Sequence, residues 1–279
     1  PDVVFGWLSS NNSVATVDAN GFVKTISPGQ VAITASVSNL FAQFNIEVIR
    51  ARIATISLSV PGAISIGKRI RIQVVAIDSA GTSDRLLPLT WTSSAPNVAG
   101  VNQSGELGPL VAGTTRVDAS LEGITGSITI TVPPLPPIRF KTISAHTSFT
   151  CGLSVDGAAF CWGGNYFGSL GTGFPPLTTA KCSFPVDCNL TPFPVDGEHV
   201  FSDLSDGLLH QCAIASDGAY CWGNGSAGNI GNGTADIVNP GPTKVQSSAE
   251  YTSINAGRLM TCGLTTLHKI DCWGQNLLG

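Results

Sequence analysis

The sequence predicts an all-β protein with two architectures, sandwiches in its first half and blade-like repeats in its second. Three observations carry this. Only 11% of the 279 residues are charged, against roughly 25% in an average soluble domain, and the 32 glycines with abundant Ser, Thr and Val favour short strands and tight turns over helices. A stretch opening at Trp7 recurs at Trp91 with a constant offset. The tripeptide Cys-Trp-Gly occurs three times, with Trp at 162, 222 and 273.

The first repeat sets Trp7, Ser9, Ser10, Val14, Val17, Gly21, Gly29 and Ala35 against Trp91, Ser93, Ser94, Val98, Val101, Gly105, Gly113 and Ala119, always 84 residues apart and without a gap. Within each copy the apolar residues alternate, as in SVATV and ITASV, which is the pattern of antiparallel strands buried on one face. In the second copy, strands are predicted over 54–60, 69–78, 89–94, 99–102, 115–121 and 127–132. Six or seven short strands in a unit of this size suit an immunoglobulin-like sandwich. No cysteine pair crosses the sheets, so Trp7 and Trp91 are expected to fill the cores with aliphatic residues.

The pattern of Trp, paired Ser, Val-Ala-x-Val and two spaced Gly resembles the bacterial immunoglobulin-like group 2 family (BIG2). The resemblance is complete over 51–133 and partial over 1–50. Six residues precede Trp7, whereas about forty precede Trp91 within its copy. The first sandwich is therefore expected to lack its opening strands, which an earlier start of the chain or another chain would supply.

A proline-rich linker is placed at 134–139. The surrounding VPPLPPI at 132–138 has four prolines in seven residues, which favours extended polyproline geometry and a stiff spacer.

From 140 to 279 the chain holds three repeats, each a strand, a short turn and a second strand ending in Cys-Trp-Gly. Asp-Gly pairs at 156–157 and 217–218 signal hairpins, and the first hairpin places Cys151 opposite Cys161. All eight cysteines lie in this half and fall into close pairs: Cys151 and Cys161, Cys182 and Cys188, Cys212 and Cys221, Cys262 and Cys272. None has the two-residue gap of a zinc knuckle. Close, even pairing reads as disulfides and an oxidising compartment; the alternative is buried free thiols in a cytosolic protein.

The elements I-S-A-H, C-G-L-x-x-D-G, C-W-G-x-N/G and G-x-L/I-G-x-G resemble the repeats named for the regulator of chromosome condensation (RCC1), a seven-bladed propeller family, and the paired cysteines resemble a secreted bacterial branch of it. The resemblance implies an incomplete RCC1-type β-propeller, because three repeats do not close seven blades. The last copy reads only as far as NLLG, so an arc of blades is expected. A long insertion at about 174–198 interrupts the first repeat, with Cys182 and Cys188 as its staple and its loop as a contact element for partners.

Several stretches imitate chemistry. Gly223-Asn-Gly-Ser-Ala-Gly228 formally matches a dinucleotide fingerprint, yet the residues after it cannot open a helix as that site requires; turn glycines explain it. Four histidines, at 146, 199, 210 and 268, show no metal-ligand spacing and read as packed or surface residues. Asp156 and Asp217 sit at hairpin tips, where turn formation explains them better than a catalytic pair. No G-x-S-x-G elbow is present. Lys68, Arg69 and Arg71 are read as an exposed strand face. Trp162, Trp222 and Trp273 recur in register and are read as packing between blades rather than as a stacking ring for a ligand.

Charge is uneven: residues 1–139 carry a net +1 and residues 140–279 a net −5, a poor match for nucleic acid. No apolar run reaches the roughly 20 residues of a membrane span. The expectation is therefore a non-enzymatic extracytoplasmic interaction module without cofactor or metal, binding protein partners. Its host would be a large membrane complex, such as a photosynthetic or transport assembly approached from its periplasmic face, or the cell surface, as an adhesin. A carbohydrate-active enzyme, or an exchange factor of the kind the RCC1 resemblance implies, is less favoured, because no carboxylate pair is evident and disulfides exclude the cytosol where small GTPases work.

Overall fold

The computed structural model describes residues 5–49, 52–79, 81, 83–84, 88–173, 177–183 and 186–276. Among these residues the fold is all-β, with 26 strands and a single 3-10 turn at Tyr166–Gly168. Two compact units divide the chain: residues 1–56, 75–87 and 121–124 form one, and 57–74, 88–120 and 125–279 the other.

In the first unit, β1 (Gly6–Ser9), β4 (Gly29–Val37) and β5 (Leu40–Val48) form one antiparallel sheet, and β2 (Ala15–Val17) pairs with β3 (Val23–Thr25). Strands β6 (Ile53–Ser59), β8 (Gln73–Asp78) and β9 (Ser83–Asp84) form a further small sheet. The short β7 (Ile70–Arg71) joins β11 (Ala99–Val101) and β12 (Glu106–Pro109), while β10 (Thr90–Ser93), β13 (Gly113–Leu121) and β14 (Ile124–Val132) make the second large sheet.

The constant offset in the sequence is a constant offset in hydrogen bonding. Trp7 is registered with Ala35 and Trp91 with Ala119; Ser9 with Ile33 and Ser93 with Val117; Ala15 with Thr25 and Ala99 with Pro109. Each residue of the motif has a physical role. The first Ser donates across the turn, Ser9 Oγ to Ala15 O and Ser93 Oγ to Ala99 O, both 2.7 Å. The second Ser accepts from the long strand, Ser10 Oγ from Ala32 N–H and Ser94 Oγ from Arg116 N–H, both 2.9 Å. Gly21 and Gly105 hold φ of 83° and 79°, and a Cβ there would stand 2.5 and 2.7 Å from the Trp7 and Trp91 rings. Only glycine adopts that conformation and leaves that space.

The two copies differ in how far their cores are closed. Val14, Ala15, Val31 and Ile33 are buried in the first, but Leu40 and Phe44 on β5 are exposed, and Ile46 and Val48 are half-buried. Their counterparts Ile130 and Val132 on β14 are buried, as is Trp91, whereas Trp7 is half-buried.

Lys68 and Arg69 do not lie on a strand face. They lie in the short irregular segment between the turn at 66–67 and β7, which is reduced to Ile70 and Arg71 because only these pair with Leu107 and Glu106 of β12.

Residues 133–139 carry no strand, as four prolines without N–H donors dictate. Three blades follow. The first orders β15 (Phe140–Ala145), β16 (Phe149–Ser154), β17 (Ala159–Gly164), β19 (Val186–Pro194) and β18 (Ala180–Ser183) side by side. The second has β20 (Phe201–Asp206), β21 (His210–Ala215), β22 (Gly218–Gly223) and β23 (Asn239–Lys244). The third has β24 (Tyr251–Ala256), β25 (Met260–Thr265) and β26 (Ile270–Gly274). The fourth strand of each of the first two blades has no sequence signal of its own. TPFP and NPGPTK read as turns, but proline is tolerated where a strand lies toward the edge of a sheet. Of the NLLG segment after the third Cys-Trp-Gly, residues 277–279 lie outside the described residues.

Candidate interaction surfaces

Each blade is pinned by a bond between its two central strands. Cys151–Cys161, Cys212–Cys221 and Cys262–Cys272 are disulfides between directly registered residues, with Cα atoms 4.1 Å apart. Cys182–Cys188 closes the β18–β19 hairpin of the insertion. Among the described residues no cysteine is free and no group of His, Cys, Asp or Glu is placed to hold a metal.

The glycine-rich run after Cys-Trp-Gly turns the chain. Asn224 Oδ1 accepts from Ser226 N–H at 2.9 Å, and Gly228 N–H donates to Gly225 O at 2.9 Å. The run also builds the seat for the next blade. Trp222 Nε1–H donates to Ser169 O of the first blade at 3.2 Å, and Trp273 Nε1–H to Asn229 O of the second at 3.0 Å. Gly171 and Gly231, at φ of 65° and 73°, lie where a Cβ would stand 2.8 Å from the Nε1 of those tryptophans. Trp222 is fully buried by this arrangement. Trp162, which has no such seat before it, is half-buried against Phe140 at 5.8 Å.

Two titratable groups lie inside the blade junctions. His210 is buried between the second and third blades, its Nε2 2.9 Å from Thr261 Oγ1. Thr261 Oγ1 in turn donates to Asn229 O at 3.0 Å, so the imidazole carries its proton on Nε2. Burial, with His146 adding a smaller effect, holds His210 down at about 4. Asp206 is buried on the innermost strand of the second blade, where burial pushes its carboxyl up to about 7. The Ser144 hydroxyl and Cys151 N–H on its flank pull the other way, but neither makes a full hydrogen bond to it. Its cross-strand partner Gln211 is likewise buried without a partner for its amide. The sequence singled out His210 only as one histidine of four and did not reveal Asp206; its signal is that Asp206 stands where the other repeats have Ala145 and Ala256.

The candidate carboxylates act locally. Asp217 accepts from Tyr220 Oη at 2.7 Å and from Lys244 Nζ at 2.9 Å. Asp156 is exposed, and hydrogen bonding from Ser154 holds it below the usual carboxylate range. A groove of about 680 Å³ runs between the second and third blades, lined by Val200, Asp217, Lys244, Glu250, Tyr251 and Thr266.

The insertion and the glycine-rich turn before it face the second sandwich copy. Arg69 donates to Thr172 O at 2.9 Å, and Lys68 pairs with Glu198. A Cβ at Gly67 would stand 3.1 Å from Pro194, and one at Gly108 would stand 2.6 Å from Leu177. The basic run expected on an open strand face thus grips the first blade, and part of the insertion expected to meet partners is engaged within the chain.

Residues 2–48 match the bacterial Ig-like domain (group 2) family. Ice-binding protein 1 of Shewanella frigidimarina is 30% identical over 174 residues, 54% of this chain and 19% of that protein. The ultraviolet-B receptor UVR8 of Arabidopsis thaliana is 26% identical over 188 residues, 64% of this chain and 37% of that protein. The chain therefore spans well under half the length of these curated relatives. Among solved structures, Prp20p of Saccharomyces cerevisiae aligns over 84% of this chain and 66% of its own, at 14% identity and a TM-score of 0.40.

Proposed function

We propose that the chain is a non-enzymatic, extracytoplasmic interaction module: a sandwich stalk presenting a disulfide-pinned stack of blades to a protein partner. The observation that carries this is how its chemistry-bearing residues are used. Cysteines that would be nucleophiles or ligands are bonded in pairs, the glycine run seats a tryptophan, and the carboxylates of the repeat turns bind their own hairpins. Four disulfides support an oxidising compartment. With residues of the insertion gripping the second sandwich copy, partner contact falls to the groove between the second and third blades and to the turns around 216–218 and 247–250.

Two hosts fit this reading, the outer face of a large membrane complex and the cell surface. No helix among the described residues is long and apolar enough to cross a membrane. The test is native capture from the source cells with thiol titration of the product. Integral membrane subunits recovered in fixed ratio support the accessory-subunit version, and cell-surface polymer supports the adhesin version. Eight thiols that react in the native protein would sink the extracytoplasmic reading altogether.

A further inference from the structure

The hairpin of the second blade is one residue shorter than those of its neighbours, and the shortening opens the joint behind it. Cys212 and Cys221 are 9 residues apart, whereas the Cys151–Cys161 and Cys262–Cys272 partners are 10 apart. In the first blade Ser154 N–H donates to Ala158 O, which leaves a turn of Val155, Asp156 and Gly157. In the second blade Ala215 is registered with Gly218, which leaves only Ser216 and Asp217. The longer turn closes its joint: Gly157 O accepts from Phe201 N–H at 2.8 Å, and a Cβ at Gly157 would stand 2.7 Å from Val200.

Tyr251 heads the innermost strand of the third blade as Phe201 heads that of the second. Each is registered with the last residue of the following strand, Thr265 and Ala215, and the same register shift follows each. The shorter turn does not reach it: neither Ser216 O nor Asp217 O accepts from Tyr251 N–H. Between that turn and Tyr251 lies the groove of about 680 Å³, within the roughly 300–1,000 Å³ of ligand sites. Both of its walls are blades of this chain, so its opening follows from the length of the turn. Its charge is uneven. Asp217 is engaged by Tyr220 Oη at 2.7 Å and by Lys244 Nζ at 2.9 Å. Glu250, exposed on the third-blade side, has no ion-pair partner among the described residues.

We infer that this groove receives a short segment of a protein partner that carries an arginine or a lysine. The inference rests on the interaction-module reading above and names what the partner presents. The closed first joint supplies the template for the backbone half of the contact: a turn carbonyl delivered to the N–H that heads the inner strand. A peptide carbonyl of the partner gives Tyr251 N–H the same group. Glu250 sets the side-chain half, because its spare carboxylate attracts a cationic donor and opposes an acidic segment. Lys244 is already matched by Asp217, so the groove stays net negative.

The test pans a displayed library of random heptapeptides on the 279-residue chain and measures the selected peptides by fluorescence anisotropy. The enriched sequences are expected to share an Arg or a Lys. Glu250→Gln is expected to weaken their binding about tenfold or more, and Glu250→Lys to abolish it. A variant with one glycine inserted between Asp217 and Gly218 regains the turn length of the first blade, and is expected to close the groove and lose the peptides. Glu250 and Asp217 are exposed, so circular dichroism and non-reducing mass should show all three variants folded with their disulfides intact. A library that yields no enriched sequence overturns the inference. So do enriched peptides without a cationic residue, or binding that survives Glu250→Gln or the inserted glycine. Such a failure is distinct from failure of the module reading, which native capture and thiol titration decide.

Discussion

The indole N–H of Trp222 reaches the carbonyl of Ser169, so the tryptophan of one blade is held by the glycine-rich turn of the blade before it. Replacing Trp222 by Phe leaves that carbonyl buried and unpaired and opens space in the junction. The expected cost is about 2–4 kcal/mol, measured by urea unfolding. Trp162→Phe, at a half-buried position, is expected to cost less than half as much.

Gly171→Ala tests the seat from the other side. The substitution forces a Cβ against the Trp222 indole and into a φ of 65°, so about 1–3 kcal/mol should be lost. Gly228→Ala, also at positive φ but with open space around its Cβ, should lose only the backbone part. Equal losses at both positions would show that strain, and not the tryptophan seat, decides.

Much of this was legible in the sequence, for a physical reason. The 84-residue offset and the Cys-Trp-Gly triplets survive because each of their residues does something no other type would do there. Ser9 and Ser93 bridge a turn, Gly21 and Gly105 admit an indole, and the Cys pairs face each other across a hairpin. The outer strands with Pro were hidden because local composition signals a turn, and pairing to β17 and β22 overrides it. The role of Lys68 and Arg69 was hidden because it depends on Thr172 of the first blade and Glu198 of its insertion, more than a hundred residues away. Asp206 was hidden because burial is a property of the stacked blades and of no single repeat.

The grip between the sandwich and the first blade rests on Arg69 more than on Lys68. Arg69 donates to a backbone carbonyl at a half-buried position, so Arg69→Ala should cost about 1–3 kcal/mol. Lys68 and Glu198 are mostly exposed, and an exposed ion pair contributes about 0–1 kcal/mol. Limited proteolysis within 174–198 should accelerate in the Arg69 variant and stay at the wild-type rate in Lys68→Ala.

The disulfides should yield to reductant in an order set by access. Cys151–Cys161 and Cys212–Cys221 are fully buried between blades, whereas Cys182 and Cys272 are exposed. Timed alkylation under mild reduction, read by peptide mass, should label 182/188 and 262/272 first. The two buried pairs should react only as the stack opens. Simultaneous labelling of all four would mean that the junctions do not protect their sulfurs.

Asp206 and His210 give the blade stack opposite responses to pH. The carboxyl of Asp206 is raised in the folded chain from 3.8 to about 7. Folding favours its neutral form, a contribution fully present below about 4 and lost as pH rises through about 7. The imidazole of His210 is lowered from 6.5 to about 4. Its contribution is present above about 6.5 and lost as pH falls toward 4. Between pH 4 and 6.5 the two nearly cancel, and from there to slightly above 7 Asp206 alone acts. Asp206→Asn should therefore stabilise the protein at pH 8, on the order of 2–4 kcal/mol for a shift of this size. Its stability should rise from pH 4 to 6.5 and then stay level. His210→Phe, which copies Phe149 at the equivalent place, should give the reverse profile, falling from pH 4 to 7. Chemical denaturation at half-unit pH steps separates the two curves. Parallel curves for the two variants would show that these groups do not titrate with the stack.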